Sequence, residues 1–392
     1  MPHADNTATA PGLADTASVP EIASQESPQL AFNKKFISDP NIMAVAGRVN
    51  ASKSREYCTV ETQKQILSTA ALFTKVTGIV EISAIKQMHL SYFKDILDQL
   101  LTSYGKSLND ATRTIDEILQ RAEDLPDDKV GLSARTINGH LDRLSLLIRT
   151  AKSEGHQTDS TIVIELLRVP EKSRARDKRL PFEPEQVKKI FQHSIWNGCK
   201  NHKRRHLPGP IVIKDGQYWG PLLGVYTGAR REELLGLSPD DIITVNGIDC
   251  INIRVNANRG LKNPAAVRII PIHSHLIELG FLDYANGRKR AGEAALFPEL
   301  VPTNASDSFG DKFFYNWDKV LDVQLGTEAD GLSFHCFRHY VIAFLKTVPT
   351  VSDKERRDLA GHVGDDVHNE VYDKATTPDV MVRVVNLIPR VF

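Results

Sequence analysis

A chain of 392 residues with 41% hydrophobic and 25% charged residues is long enough for two domains and a tail, and its composition is that of an ordinary globular protein. No apolar run reaches the roughly 18 residues of a membrane span, and Met1-Pro2-His3-Ala4-Asp5 lacks the basic and apolar regions of a secretory signal, so a cytoplasmic location and no membrane partner are expected. The 49 basic residues balance 49 acidic ones and the four cysteines show no CxxC spacing, which argues against zinc and disulfides and means that any nucleic-acid partner must be met by local clusters of charge.

Residues 1–56 are rich in Ala, Thr, Ser, Pro and Asp without a sustained hydrophobic period, and are expected to be a disordered tail. Residues 57–170 turn helical. Ile66, Leu67, Ala70, Leu72 and Phe73, then Leu90, Phe93, Ile96, Leu97 and Leu100, recur at three-and-four spacing. The clearest helix runs from a Ser133 N-cap through Ile137, Leu141, Leu144, Leu147 and Ile148 to Gly155, with Arg135, Asn138, Arg143 and Arg149 around the rest of its surface. Residues 171–181, containing Arg174, Arg176, Lys178 and Arg179 and ending in Pro181, form a basic linker. Such a run is either a solvated loop or a strap across a nucleic-acid backbone; Lys203-Arg204-Arg205-His206 adds a second cluster.

Residues 182–392 mix helices with short strands. Helices are expected over 184–195, 218–227, 309–323, 334–347, 352–359 and 378–387, and strands over 248–255 and 267–272, separated by a polar connection that carries Arg259 and Lys262. The fold class is α-rich α+β: a helical domain followed by a mostly helical domain with a small antiparallel sheet. The last helix, with Val380, Met381, Val384, Val385 and Leu387, is apolar enough to dock on its own domain or on a neighbouring copy, and docking on a neighbouring copy is the expectation.

Several side chains carry chemistry. Arg230 follows Thr227-Gly228, where glycine ends the apolar helix, and its guanidinium either pairs with Glu233 one turn on or grips two phosphate oxygens in a fork that lysine does not reproduce. His335 and Arg338, three apart in a helical stretch, share one face; His339 points off it. Lys262 lies where a hairpin tip would reach into a groove and donate a proton. His362 follows Gly361 at a helix end, and Tyr372 lies ten residues beyond. A phenol with an ordinary pKa of about 10 attacks phosphorus only when cations and a base help to remove its proton. His362, Asp365, Asp366 and His368 fit no common metal pattern, so neither a metal nor another cofactor is expected.

The order Thr227-Gly228-x-Arg230-x-x-Glu233-Leu234, Lys262, His335-x-x-Arg338-His339, Gly361-His362, Tyr372 resembles the tyrosine recombinase (phage integrase) family over the catalytic half, 182–392. Residues 57–170 are similar, more weakly, to the family's core-binding domain. The resemblance implies a site-specific recombinase of a mobile element that cleaves and rejoins DNA through a 3′-phosphotyrosyl link. Tyr372 would be the nucleophile, Arg230 and Arg338 the phosphate clamp, Lys262 the general acid and His335 the handler of the tyrosine proton. His362 would hydrogen-bond the phosphate and Glu233 support the site from behind. Arg135, Asn138, Arg174, Arg176, Lys178 and Arg179 would meet duplex DNA, in a clamp making roughly 6 to 10 phosphate contacts. The implied partners are double-stranded DNA with specific recombination sites, three further copies in a homotetramer on DNA (a monomer or weak dimer when free), and DNA-bending accessory proteins; the setting is bacterial and nucleoid-associated. A similar residue set serves type IB topoisomerases and telomere resolvases, and the fold also occurs in non-catalytic DNA-binding proteins. Tyr340 after Arg338-His339, and Ala360 before Gly361-His362, depart from the family's usual small hydroxyl and larger apolar residues.

Overall fold

Apolar side chains at three-and-four spacing start shaping the chain earlier than its composition suggests. The structure, a computed structural model, describes residues 38–53, 60–107, 109–171, 180–261, 266–304, 307–362 and 375–392. Its first helix, α1 (Ile42–Lys53), falls within the stretch expected to be tail. Ile42, Val45, Ala46 and Val49, at positions i, i+3, i+4 and i+7, are all buried, a complete helical face made of small residues in an Ala- and Ser-rich context. Arg48 fastens the helix with two hydrogen bonds to Glu154, of 2.9 and 2.7 Å.

The helices that share this core are α2 (Val60–Thr77), α3 (Gln87–Leu97), α5 (Ile115–Glu123) and α6 (Ala134–Ser153), with the short α4 (Asn109–Thr112) between α3 and α5. Two of them begin on caps legible in sequence. Thr114 and Glu117 exchange reciprocal bonds at the start of α5, and Ser133 Oγ accepts from Thr136 N at the start of α6. Ile66, Phe73, Phe93, Leu141 and Leu144 meet in an apolar core that runs from Ile42 to Ile164, with Phe73 and Phe93 packed edge to face at 5.2 Å.

A second core gathers residues from Phe182 to Val391. The helix expected over 184–195 divides into α7 (Pro184–Phe191) and α8 (Ser194–Asn197), because His193 Nδ1 accepts a hydrogen bond from Ile195 N and starts a new turn. Strands β1 (Cys199–Asn201) and β2 (Arg204–Pro208) then pair as an antiparallel hairpin. The cluster 203–206 is therefore a turn and strand in which Arg205 faces inward, paired with Asp215 and the carbonyl of Ile213.

Beyond α9 (Gly216–Thr227) and α10 (Arg231–Leu235) lies a three-stranded antiparallel sheet of β3 (Ile242–Val245), β4 (Ile248–Ile253) and β5 (Arg268–Pro271), in that order. Asn246 and Gly247, both at positive φ (51° and 79°), make the two-residue turn between β3 and β4. Ile251 pairs with Ile270, and Ile253 with Arg268, so the register fixes which side chain of β5 faces inward. The remaining helices are α11 (Ser274–Glu278), α12 (Phe281–Arg290), α13 (Phe309–Leu325), α14 (Cys336–Lys346), α15 (Asp353–Ala360) and α16 (Pro378–Val385).

Docking of α16 on a neighbouring copy is not what this chain shows. Met381, Val384 and Val385 are buried in its own second core, against β4 and β5. The tail that follows is held there too, by Tyr226 Oη accepting from Val391 N at 3.1 Å and by a 3.0 Å bond between His273 Nε2 and the Ile388 carbonyl. Among the described residues no helix is long and apolar enough to cross a membrane.

Candidate active site

The centre of the site is built by a turn that the sequence specifies residue by residue. At the end of α9, Thr227 Oγ1 donates to Leu223 O at 2.6 Å and accepts from Ala229 N at 3.1 Å. Gly228 adopts φ 60° as the helix cap. The chain reverses there and delivers Arg230 to the N-terminus of α10. Glu233, one turn into α10 and only 4% exposed, accepts from Arg230 N at 3.0 Å and from Arg230 Nη1 at 2.7 Å. The pair read from sequence as either a surface ion pair or a functional fork is thus an ion pair whose carboxylate is buried and whose guanidinium remains partly open.

Arg338 enters from α14, which packs beside α9 so closely that a Cβ on Gly224 would lie 2.7 Å from the ring of Phe334. The residue is 2% exposed. Its Nη1 donates to the carbonyls of Gly228 and Ala360, while its Nη2 is buried without a hydrogen-bond partner among the described residues. Burial, then the charges of Arg230 and Arg268, push its pKa down to about 9. A buried guanidinium with an uncommitted nitrogen, crowded by like charge, is suited to receiving an anion.

Arg268 on β5 is the member that sequence reading passed over. Its side chain is 7% exposed, and it donates from Nε to Leu359 O at 2.8 Å, from Nη1 to Ala266 O at 2.7 Å and from Nη2 to Glu233 Oε2 at 2.8 Å. Burial alone would raise the Glu233 carboxyl, but Arg268 and Arg230 outweigh it and hold that group below the usual carboxylate range. Two guanidiniums therefore share one carboxylate, and the charges of both act on the third, Arg338.

His362 joins them from the end of α15, where Gly361 at φ 63° turns the chain and His362 N bonds Arg357 O at 3.1 Å. The His362 pKa is lowered to about 4, first by loss of solvent around the ring, then by Arg338, Arg230, Arg268 and His339. The ring is therefore neutral at pH 7, although the residue as a whole is exposed. His335 is exposed at the start of α14, and its ring lies 4.8 Å from that of His339, edge to face. His339 also lies near enough to His362 to contribute to lowering its pKa.

The structure thus brings Arg230, Glu233, Arg338 and His362 together, with His335 at the same helix end. Lys262 and Tyr372 lie outside the described residues, as do Arg174, Arg176, Lys178, Arg179 and the Asp365, Asp366 and His368 of the rejected metal set. Among the described residues no group of three or more His, Cys, Asp or Glu could hold a metal. Arg259, the other cation of the Lys262 connection, is buried and committed to Asp241 and the Gly236 carbonyl.

The expected DNA contacts on α6 diverge. Arg135 is exposed on the rim of an open groove that Lys75, Arg143 and Arg168 also line. Asn138 is a structural bridge instead, donating to Val169 O at 2.8 Å and accepting from Val169 N at 3.0 Å. Both ends of its amide are used, which leaves it little capacity to read a base edge.

No protein-family model matches the chain, and no curated protein matches it. Solved structures do. An integrase of the transposon Tn1549, in complex with transposon right end DNA, is 16% identical with a TM-score of 0.52, over 88% of this chain and 97% of that one. The same integrase with circular intermediate DNA is 13% identical with a TM-score of 0.51, over 88% and 99%. At these identities the likeness is one of fold, and the chain has the α-rich integrase fold that its resemblance to the tyrosine recombinases led one to expect.

Proposed function

We propose that this protein is a site-specific DNA strand transferase of the tyrosine recombinase type. One observation carries the reading: Arg230 and Arg268 share the single carboxylate of Glu233, Arg338 lies close enough for both of their charges to act on it, and its buried Nη2 has no hydrogen-bond partner among the described residues. Three positive charges against one negative, in a site sheltered from water, call for an anion with several acceptor oxygens. A phosphodiester supplies one negative charge and two non-bridging oxygens.

In the proposed reaction the non-bridging oxygens lie against Arg230 and Arg338, and the neutral His362 ring donates a hydrogen bond to one of them. The Tyr372 phenolic oxygen attacks phosphorus and its proton passes to His335. The bond from phosphorus to the 5′-oxygen breaks as Lys262 protonates that oxygen. A 3′-phosphotyrosyl link and a 5′-hydroxyl result. The link keeps the energy of the broken bond, so a 5′-hydroxyl from another strand reverses each step and rejoins the DNA. Tyr372 lies four positions before Thr376, whose backbone and hydroxyl both bond Asp358 on α15. A chain of that length spans at most roughly 14 Å, which supports Tyr372 as the nucleophile of a site beside that helix.

Further parts of the proposal follow from the same fold. The substrate is duplex DNA carrying recombination sites of a mobile element, and four copies assemble on it; fold-related integrases form complexes with transposon right end DNA and with circular intermediate DNA. DNA-bending proteins assist, and the setting is the bacterial cytoplasm. The helical unit (residues up to 170) and the catalytic unit (from 182) are joined by the basic 171–181 linker, and Arg135, Arg174, Arg176, Lys178 and Arg179 meet the backbone.

The test is a covalent adduct. Incubation in EDTA with nicked DNA containing the ends of the element should give a protein-DNA species that resists denaturation and is absent with Tyr372→Phe. An adduct that persists in that variant would sink the assignment. Relaxation of supercoiled plasmid without pairing of two sites would move the outcome to a type IB topoisomerase-like activity.

A further inference from the structure

We infer that Arg268 is a positioning residue of this site, which aligns the Arg230 fork and the Gly361-His362 turn on either side of the bound phosphate without touching that phosphate itself. The inference deepens the strand-transferase reading and rests on it for the identity of the natural substrate, though not for the anion.

The geometry is that of a three-way joint. From β5 the guanidinium reaches α10 through Glu233 Oε2, the end of α15 through the Leu359 carbonyl, and its own strand through the Ala266 carbonyl. The other Glu233 oxygen holds Arg230 Nη1, so Arg230 and Arg268 are clamped to opposite sides of one carboxylate. At α15 the last carbonyls are divided between two arginines, Leu359 bonding Arg268 and Ala360 bonding Arg338. Cations at a helix C-terminus satisfy its open carbonyls and its dipole. Here they also fix the direction in which the chain leaves the helix. Gly361 then packs against the Arg268 guanidinium, where a Cβ would come within 2.7 Å of Nη1.

Only a guanidinium fits this joint. Its three nitrogens spread in one plane and donate in three directions at once, whereas an ammonium is a point donor on a flexible stem. The register pair of Ile253 with Arg268 puts the guanidinium under the site, and its side chain is nearly closed to solvent. Those features separate it from Arg230, which is partly exposed, and from Arg338, which keeps an uncommitted nitrogen.

The experiment uses the full chain and inorganic phosphate as the probe, with the His362 ring followed by NMR and assigned by its loss in His362→Gln. In Arg268→Met, phosphate binding should weaken by about tenfold or more as the orienting charge-assisted bonds are lost. The His362 titration should move up, since of the groups facing that ring (Arg338, Arg230, Arg268 and His339) one cation has gone. Arg268→Lys keeps the charge and loses the fork: His362 should stay low while phosphate binding still weakens. It also decides the matter if Arg268→Met fails to fold. Phosphate affinity within about twofold of the parent in a folded variant would overturn the inference and leave Arg268 as mere support of the core. If both readouts behave as expected but no DNA adduct forms, the positioning role stands and strand transfer is what fails.

Discussion

Asp241 offers the sharpest test of how the connection before Lys262 is held. The residue is 0% exposed, and its carboxylate accepts from Arg254 Nε at 2.8 Å, Asn256 Nδ2 at 2.7 Å, Ser238 N at 2.9 Å and Arg259 Nη1 at 3.3 Å. Arg259 has Nε and Nη2 without partners among the described residues, so Asp241→Ala leaves its buried guanidinium with the Gly236 carbonyl as the remaining hydrogen-bond partner among the described residues. Breaking a buried pair from one side costs about 3–5 kcal/mol, and the lost cap at Ser238 adds about 1 kcal/mol. Arg254, 43% exposed, adds less than about 1 kcal/mol. A loss of about 4–6 kcal/mol is expected. All three tryptophans, Trp196, Trp219 and Trp317, lie in the second core, so fluorescence during guanidinium unfolding follows that unit alone. Replacing both partners, Asp241→Leu with Arg259→Leu, should cost less than the single change, because no charge is left unpaired. A single-variant loss below about 1.5 kcal/mol, or a double variant as unstable as the sum of its parts, refutes the account. The same logic separates Arg259 from Lys262: Arg259→Met should lower stability, while Lys262→Met should spare it and slow DNA cleavage.

Three more outcomes are expected. Gly361→Ala combines a left-handed backbone with a 2.7 Å approach to Arg268 and should cost about 2–4 kcal/mol in urea unfolding; a loss under about 1 kcal/mol would contradict the close packing. Burial, then His206 and Arg205, lower the His193 pKa to about 4. The unfolded chain therefore takes up this proton below about pH 6.5 and the folded chain does not, so the contribution is intact above pH 6.5 and declines as pH falls towards 4, by no more than about 3 kcal/mol. His193→Gln should flatten that part of the stability profile, and an unchanged profile would discount the effect. On α6, Arg135→Ala should reduce the salt slope of DNA binding by about one unit, whereas Asn138→Ala should leave the slope alone and destabilise the helical core by about 1–3 kcal/mol through the orphaned Val169 groups. The reverse pattern would restore Asn138 as a DNA contact.

Local rules made much of this fold legible. Ser133, Gly155, Thr227-Gly228 and Gly361 mark real helix ends because caps and left-handed turns depend on the residues at hand. Spacing from Arg230 to His362 was readable for the same reason, each member sitting at an element boundary. Other features failed where distant partners decide. The apolar face of α1 is made of Ile42, Val45, Ala46 and Val49, short side chains that become a core only against other helices. Strand β3 is four residues long, and its Asn246-Gly247 turn is a hairpin signal that was in the sequence and went unused. Arg268 looked like an ordinary strand cation, since nothing local reveals that Glu233, 35 positions earlier, and Leu359, 91 positions later, meet it. Asn138 looked like a free polar residue on a helix surface until Val169 was found to occupy it.

Placement of Arg338 sets stability against function in a way that can be measured. Burial of its charge beside two other guanidiniums is unfavourable, while its bonds to the Gly228 and Ala360 carbonyls tie two segments together. Arg338→Met removes the first term, of several kcal/mol, and orphans two carbonyls at about 1–3 kcal/mol each. Terms of similar size and opposite sign leave a net change within about 2 kcal/mol in the absence of anions. The difference should emerge on adding sulfate, which does not titrate near neutrality. An anion bound only by the folded state adds about 2.7 kcal/mol at a hundredfold excess over its dissociation constant. The parent should therefore gain stability with sulfate, read on the tryptophans of the second core, and the variant should gain nothing. A sulfate response that survives Arg338→Met would place the anion elsewhere and remove the reason for reading the three arginines as one site.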